Sequence, residues 1–292
     1  MSVTMLADAV RSEAYRLTRD RAQVFWSVFL VPLAFAIGGI GVHIFSKAAG
    51  DAAAVHVGLN GLQSAQPVNL AEALAFGANF AANGALLILA LVGAATVYAG
   101  DYRWETWRLI SARNSRPLLI LGKVGVVKMM ALGATLAFIL AAIVFYVAQA
   151  IVYQRPVTFS MSGVEASHTL LIWLLSYVRV VQFGLLALLT AVVSRSLMAS
   201  LFVPWALGFG QGILGSLPVM MMLGLKPDGW PAQLLLPGLA YDTLKAAVIP
   251  GLARLPIESS PVAAGVTGLA LWTLVPLVVA ILLFQRQDLS KE

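Results

Sequence analysis

An arginine in the middle of an apolar stretch is the residue of this chain most suited to chemistry. Arg179 lies within LLIWLLSYVRVVQFGLLALLTAVV, and Gln182 follows it one helical turn later on the same face. A charge at that depth of a membrane is costly unless it faces protein or water. No carboxylate occurs in any predicted span to pair with it. The pair predicts either the wall of a translocation cavity or gate, or a structural role in which Arg179 forms a hydrogen bond to a neighbouring helix or a carbonyl, or snorkels toward the interface.

A glycine cluster in another apolar run matches a nucleotide motif only in its letters. Gly210–Gly215 reads GQGILG, but a dinucleotide site needs a strand before the motif and a helix N-terminus facing the phosphates. We therefore interpret Gly208, Gly212 and Gly215 as packing positions within the subunit or at a dimer seam, since small residues let membrane helices approach closely. There is no cysteine and no phosphate-loop, serine-hydrolase or zinc-protease motif, so we expect no catalytic or metal site.

A basic, tryptophan-rich connection separates two long apolar runs. It reads DYRWETWRLISARNSRPLLILGKVGVVK from Asp101 to Lys128 and holds six of the nineteen Lys and Arg residues. Trp104 and Trp107 are three residues apart and share a helical face. The mixture of acidic, basic and aromatic side chains suits docking to a protein groove. The alternative is a juxtamembrane aromatic belt with the positive charges typical of cytosolic loops.

These residues belong to an integral membrane protein. The chain has 292 residues, of which 60% are hydrophobic and only 11% charged, whereas soluble domains are about 25% charged. Six apolar runs reach the length of about 20 residues that a membrane-spanning helix needs. These runs are 24–45, 76–99, 129–153, 169–194, 197–223 and 262–284.

The distribution of Lys and Arg predicts the orientation. With both termini in the cytosol, thirteen of these residues lie inside and five outside, as expected for inner loops rich in positive charge. The net charge of +6 then matches an anionic lipid surface, and it requires no nucleic acid.

Two segments outside the spans have distinct compositions. Residues 1–23 show helical spacing of apolar residues and predict an amphipathic interfacial helix; a solvated charged N-terminus is the alternative. Residues 224–261 contain six prolines and apolar pieces too short to cross, so we expect a re-entrant or interfacial outer segment, or else an ordered outer loop. The whole chain, 1–292, is predicted to be one all-α transmembrane domain with six spans and cytosolic termini.

The connection and the topology together resemble the type-2 ATP-binding-cassette (ABC) permease family, the membrane subunits of exporters. Members commonly carry an acidic residue after the second span, then Gly-Thr, a short apolar helix, Ser-Arg, and a Lys at the foot of the third span. The matching positions here are Asp101, Thr106, Trp107–Ile110, Ser115–Arg116 and Lys123. Glu105 stands in the Gly position and departs from this pattern. The ending Phe284–Asp288 also looks like that of the family.

The resemblance implies a function and partners. Two permease copies, identical or different, would pair in a bacterial inner or plasma membrane, and each would contact a separate cytosolic ABC ATPase that binds ATP and Mg²⁺. The region 101–116 would hold the coupling helix. Its expected coupling residues are Asp101, Arg103, Trp104, Glu105, Thr106, Trp107 and Arg108. The low charge of the predicted spans favours a hydrophobic or amphipathic cargo such as a lipid, a peptide or a drug.

Other functions stay open. A stand-alone secondary carrier would need in-span carboxylates or histidines, which the predicted spans lack. An intramembrane enzyme would need a nucleophile with a base, or a metal cluster, and no such pattern occurs. A membrane scaffold or immunity subunit that binds a partner without moving cargo stays open as an alternative.

Overall fold

Six helices in the described part of the chain are long and apolar enough to cross a membrane. The structure is a computed structural model that describes residues 3–49, 66–103, 107, 115–252 and 261–287. The candidate spans are Arg21–Ala48, Gly84–Tyr102, Arg116–Val152, Gly163–Ser194, Leu197–Leu214 and Val262–Arg286. The chain is therefore a multi-pass, all-α membrane protein, as its composition predicts.

The described part of the chain is built from helices and one pair of short strands. In chain order they are α1 (Val3–Arg19), α2 (Arg21–Val24), a π-helical turn (Phe25–Phe29), α3 (Leu30–Ala49), α4 (Leu70–Phe80), α5 (Gly84–Arg103), α6 (Arg116–Val152), α7 (Gly163–Ser194), α8 (Leu197–Leu214), α9 (Leu217–Met222), α10 (Trp230–Leu235), α11 (Pro237–Val248) and α12 (Val262–Arg286). Two short strands, β1 (Val68–Asn69) and β2 (Val157–Thr158), pair in parallel.

Three of the predicted spans had wrong bounds. The run 76–99 is broken, because α4 ends at Phe80 and Asn83 starts a new helix: its side chain accepts from the Leu86 amide at 3.0 Å and donates to the Phe80 carbonyl at 2.9 Å. The helix that contains the third predicted span starts at Arg116, so Lys123 and Lys128 lie on the same helix as that span. The fifth ends at Leu214, and the predicted remainder forms α9.

Helix α7 is the centre of the bundle. It packs against α5, α6, α8 and α12, and 61% of its most apolar window is buried, compared with 11% for α8. Apolar burial of this kind provides the packing that holds helices together. Helix α7 is thus fixed in place, whereas α8 presents most of its surface outward.

Contacts between the ends of helices define two ends of the bundle. At the end that we call basal, Arg116 donates to the carbonyls of Gln285 at 2.8 Å and Gln287 at 2.6 Å. At the distal end, Lys47 donates to the carbonyl of Val152 at 2.5 Å, and the strands β1 and β2 pair. The described parts of both termini lie at the basal end, which is the end that the charge distribution predicts to be cytosolic.

Candidate functional site

A cavity of about 280 Å³ lies between α5, α7, α8 and α11. Its wall includes Arg179 and Phe183 from α7, Gly208 from α8, and Tyr241 and Asp242 from α11. Its wall contains the arginine that the sequence singles out. The cavity is therefore the first candidate for a ligand site.

Arg179 is held in the cavity wall by its neighbours on α7 and α11. It is 8% exposed, and its Nη1 donates to Gln182 Oε1 at 2.7 Å. Its guanidinium carbon lies 4.8 Å from the centre of the Phe183 ring and 6.0 Å from that of Tyr241. Cation–π contact is one way to stabilise an arginine in a low-dielectric region. Arg179 thus lines a cavity, and the hydrogen bond shown for it is to Gln182 on its own helix; a role in translocation stays a prediction.

The cavity lies at the middle of α7. Arg179 is sixteen residues from Gly163 and fifteen from Ser194, or about 24 and 22 Å along the helix axis. The hydrocarbon core of a bilayer is about 30 Å thick. A helix of this length that crosses the membrane places Arg179 near the midplane.

Sequence analysis missed the acidic residue of this cavity. Asp242 belongs to the proline-rich stretch 224–261, outside every predicted span, yet α11 carries it to the depth of Arg179. Hydrogen bonds of Ser176 anchor α11 there, since its hydroxyl lies 2.9 Å from the Tyr241 hydroxyl and donates to the Ala78 carbonyl at 2.9 Å. Gly238 and Asp242 are four residues apart and therefore share one face of a short helix, and this spacing was the signal in the sequence that could have identified Asp242.

The three glycines of the predicted packing set differ in their surroundings. A Cβ on Gly208 would lie 2.8 Å from the Phe183 ring, so this glycine permits close contact between α8 and α7. Gly212 has open space around it, and Gly215 is the C-cap of α8. Of these three glycines, only Gly208 is in contact with another helix in the described part of the chain. A dimer seam at Gly212 stays a prediction.

A second polar cluster lies at the basal end. Lys123 and Asp101, 2% and 1% exposed, pair at 2.5 Å between Nζ and Oδ2. Arg16 of α1 donates to Asp101 Oδ1 at 2.9 Å and to Glu13 at 3.1 Å, and Glu13 lies 3.6 Å from Lys123. Two acids and two bases thus join α1, α5 and α6. The hydrogen bond to Asp101 raises the pKa of Arg16 above its ordinary value, so Arg16 stays charged.

Trp107 ties the basic connection to this cluster. The Trp107 side chain is 1% exposed. Its ring centroid lies 4.6 Å from that of Phe284 and 5.5 Å from that of Tyr102. The Lys123 ammonium lies 5.3 Å from the Trp107 centroid. The indole therefore anchors the connection to α5, α6 and α12, and its ring is not available to a partner.

The structure places two of the seven expected coupling residues with their side chains. Asp101 and Trp107 are both buried at the basal end. Trp104, Glu105, Thr106 and Arg108 lie outside the described residues, as does the side chain of Arg103. Their predicted role in contacting an ATPase stays a prediction. Comparison with protein-family models and with curated proteins finds no match for this chain.

Proposed function

We propose that this chain is the permease subunit of an ATP-driven exporter of the ABC type. One observation supports this function best: α5 is a single helix that lines the cavity with Leu87 and Ile88 and carries the buried Asp101 in its last turn. A movement of the basic connection would therefore be transmitted along one rigid element to the cavity. An externally driven transporter needs this kind of mechanical link.

The energy source in this proposal is a separate subunit. The chain carries no phosphate-binding loop, so ATP and Mg²⁺ would bind to a cytosolic ABC ATPase. That ATPase would dock on the region 101–116, and its charged residues Arg103, Glu105 and Arg108 are the candidates for the contact because the Trp107 ring is buried. The basal end would face the cytosol, in agreement with the thirteen Lys and Arg residues assigned to that side.

The distal end would be closed by α10 and α11. Trp272 of α12 donates to the Leu234 carbonyl at 2.8 Å, and Arg179 Nη2 is 3.3 Å from the position that a Cβ on Gly238 would occupy. These contacts at mid-helix positions support a re-entrant pair of helices whose turn, at Leu236, reaches the depth of the cavity. The outward apolar face of α8 would meet a second permease copy across the path of the cargo, a hydrophobic or amphipathic molecule.

A second candidate function is a proton-coupled carrier. It is favoured by Asp242, since a titratable carboxylate in a cavity beside an arginine is a common arrangement in such carriers. This carrier would work without an ATPase, and its transport would respond to a pH gradient.

The test is purification of the tagged chain in mild detergent, with identification of proteins that co-purify and measurement of ATP hydrolysis. We expect a stoichiometric ATPase, and we expect Glu105→Arg with Arg108→Glu to release it. The matched control is Arg11→Glu, an exposed charge reversal on α1, which should retain the ATPase. A folded preparation with no ATPase and no ATP hydrolysis, but with transport driven by a pH gradient, would replace this proposal with the carrier.

A further inference from the structure

A histidine is fully buried in the distal part of α3. His43 is 0% exposed, and neither of its ring nitrogens has a hydrogen-bond partner of normal geometry in the described part of the chain. A neutral imidazole carries one donor and one acceptor. Nearly all buried polar groups of folded proteins are hydrogen-bonded, so an exception needs a physical reason.

The surroundings of this ring are aromatic and come from α6 and the residue that follows it. The centroid of the His43 ring lies 4.4 Å from that of Phe145 and 5.8 Å from that of Tyr153. The Tyr153 hydroxyl donates to the backbone carbonyl of His43 at 3.4 Å and not to its ring. A neutral imidazole packs well among such rings. For an imidazolium, the attraction of the rings recovers less free energy than the burial of its charge costs.

The charged groups around His43 do not offset a positive charge. Helix α6 carries no acidic residue, and α5, which also contacts α3, has only Asp101, at the basal end. Lys47 lies one turn after His43 on α3, and Arg155 follows α6, so both add positive charge. Glu72, near the start of α4, is exposed. A second proton on His43 would therefore leave an uncompensated charge between α3 and α6, which is costly.

The preceding turns of α3 are held by other contacts. Phe35 packs on three rings of α4 and α6, with centroids 5.1 to 5.8 Å away. Three glycines separate it from His43. A Cβ on Gly39 would overlap an aromatic ring of α6, whereas Gly38 and Gly41 have open space around them. Glycines make a helix easier to bend. The distal turns of α3 can therefore leave α6 while the Phe35 contacts persist.

We propose that the distal turns of α3 form a pH-sensitive latch that neutral His43 keeps closed against α6. Histidine ordinarily gains its second proton between about pH 8 and about pH 5. The imidazolium requires water, so the turns after Gly41 would separate from α6. Ser46, which is buried, and Lys47, which donates to the Val152 carbonyl, would be released with it. A charge change at one site thus selects between two arrangements of one element.

The latch lies close to the distal surface. His43 is six residues before Ala49, the last residue of α3, which is about 9 Å along the axis. A small opening therefore brings water to the ring. In the orientation that the charges predict, acid outside the cell would open the latch. The latch requires neither an ATPase nor cargo, so it does not rest on the proposed export function.

The test is the accessibility of a buried position beside His43. Ser46 is 1% exposed, and the chain has no cysteine of its own, so Ser46→Cys provides a single thiol. Its rate of maleimide labelling in mild detergent is divided by that of the exposed Ser160→Cys at the same pH, which cancels the loss of thiolate in acid. We expect this ratio to rise about tenfold between about pH 8 and about pH 5. A constant ratio would overturn the latch.

Variants assign the proton to His43. His43→Phe cannot gain a proton, and its ring suits the aromatic neighbours, so the ratio measured at Ser46→Cys should not depend on pH. His43→Gln is the second variant, with a polar side chain in case phenylalanine overpacks the site, and it should give the same result. His168→Gln makes the same change at a partly buried histidine of α7, and the rise should persist. A rise as large as that of wild type in either His43 variant would contradict the assignment.

The thermal unfolding midpoint gives a second measurement. A histidine that is neutral when buried binds more protons in the unfolded chain, so its contribution to stability is lost as the pH falls. We expect the midpoint of wild type to fall further than that of His43→Phe between about pH 8 and about pH 5. An equal fall in both would show that a charged His43 is tolerated in the closed structure, and the latch would be wrong.

Discussion

Lys123 and Asp101 form a buried ion pair, so the protein should be sensitive to the loss of either side chain. Their Nζ–Oδ2 distance is 2.5 Å, and Lys123 also donates to the Val97 carbonyl at 2.8 Å. Removing one member of a buried pair costs up to about 3–5 kcal/mol. In Lys123→Met, Asp101 loses its buried partner and keeps the partly exposed Arg16. We expect Lys123→Met to lower the thermal unfolding midpoint in detergent markedly, as followed by tryptophan fluorescence.

The double variant separates the pair from its surroundings. Lys123→Met with Asp101→Asn should lose less stability than the sum of the two single changes, because neither charge is left alone. Lys128→Met, which removes an exposed lysine five residues later on α6, should be near neutral. Additive losses would show that the two side chains are not coupled.

Gly208 and Gly212 form a second residue-level comparison. A Cβ on Gly208 would lie 2.8 Å from the Phe183 ring, while Gly212 has nothing within 4 Å. Gly208→Leu should destabilise the monomer by about 1–3 kcal/mol, as overpacking does, and should reduce the cavity that Phe183 lines. Gly212→Leu should leave the thermal midpoint of the monomer unchanged. If both variants unfold at the same temperature, α8 does not pack on α7 as described.

At the scale of elements, the packing of α10 and α11 against α12 depends on two glycines of α12. A Cβ on Gly268 would overlap the backbone carbonyl of Gln233 in α10, whereas one on Gly265 would meet the Leu244 side chain at 3.2 Å. A side chain can rotate away more easily than a backbone carbonyl can shift.

We therefore expect Gly268→Ala to lower the unfolding midpoint more than Gly265→Ala does. Limited proteolysis should report the same order, with faster cleavage between 224 and 261 in Gly268→Ala. Equal cleavage in wild type and both variants would mean that α10 and α11 are not held by α12.

Hydropathy predicted the number and order of the spans but not their ends or the cavity. The break before Asn83 was hidden because the surrounding alanines and glycines are apolar in either conformation. Lys123 was placed outside the third span because a lysine is penalised there; its partners Asp101 and Glu13 come from distant parts of the chain. Asp242 was missed because it is distant from Arg179 in the sequence, and only tertiary packing brings α11 to Arg179.

At the scale of the whole molecule, the two polar clusters lie at opposite ends of one helix. On α5, fourteen residues separate Ile88 at the cavity from Tyr102 at the basal cluster, which is about 21 Å. The distance matches the roughly 22 Å from Arg179 to the basal end of α7. The cavity is therefore about as far from the basal surface as half a bilayer with its head groups, so cargo in it would have completed half of its path.

The orientation of the whole molecule can be tested because the chain has no cysteine of its own. Ser12→Cys on α1 and Ser160→Cys at the distal end introduce the same small change at exposed positions. With thirteen Lys and Arg residues assigned to the basal side and five to the distal side, the distal end should face outward. A membrane-impermeant maleimide added to intact cells should label Ser160→Cys at once and Ser12→Cys only after permeabilisation. The reverse pattern would place the basic connection outside the cell, where no ATP-hydrolysing partner could reach it, and would exclude the export mechanism while leaving the cavity intact.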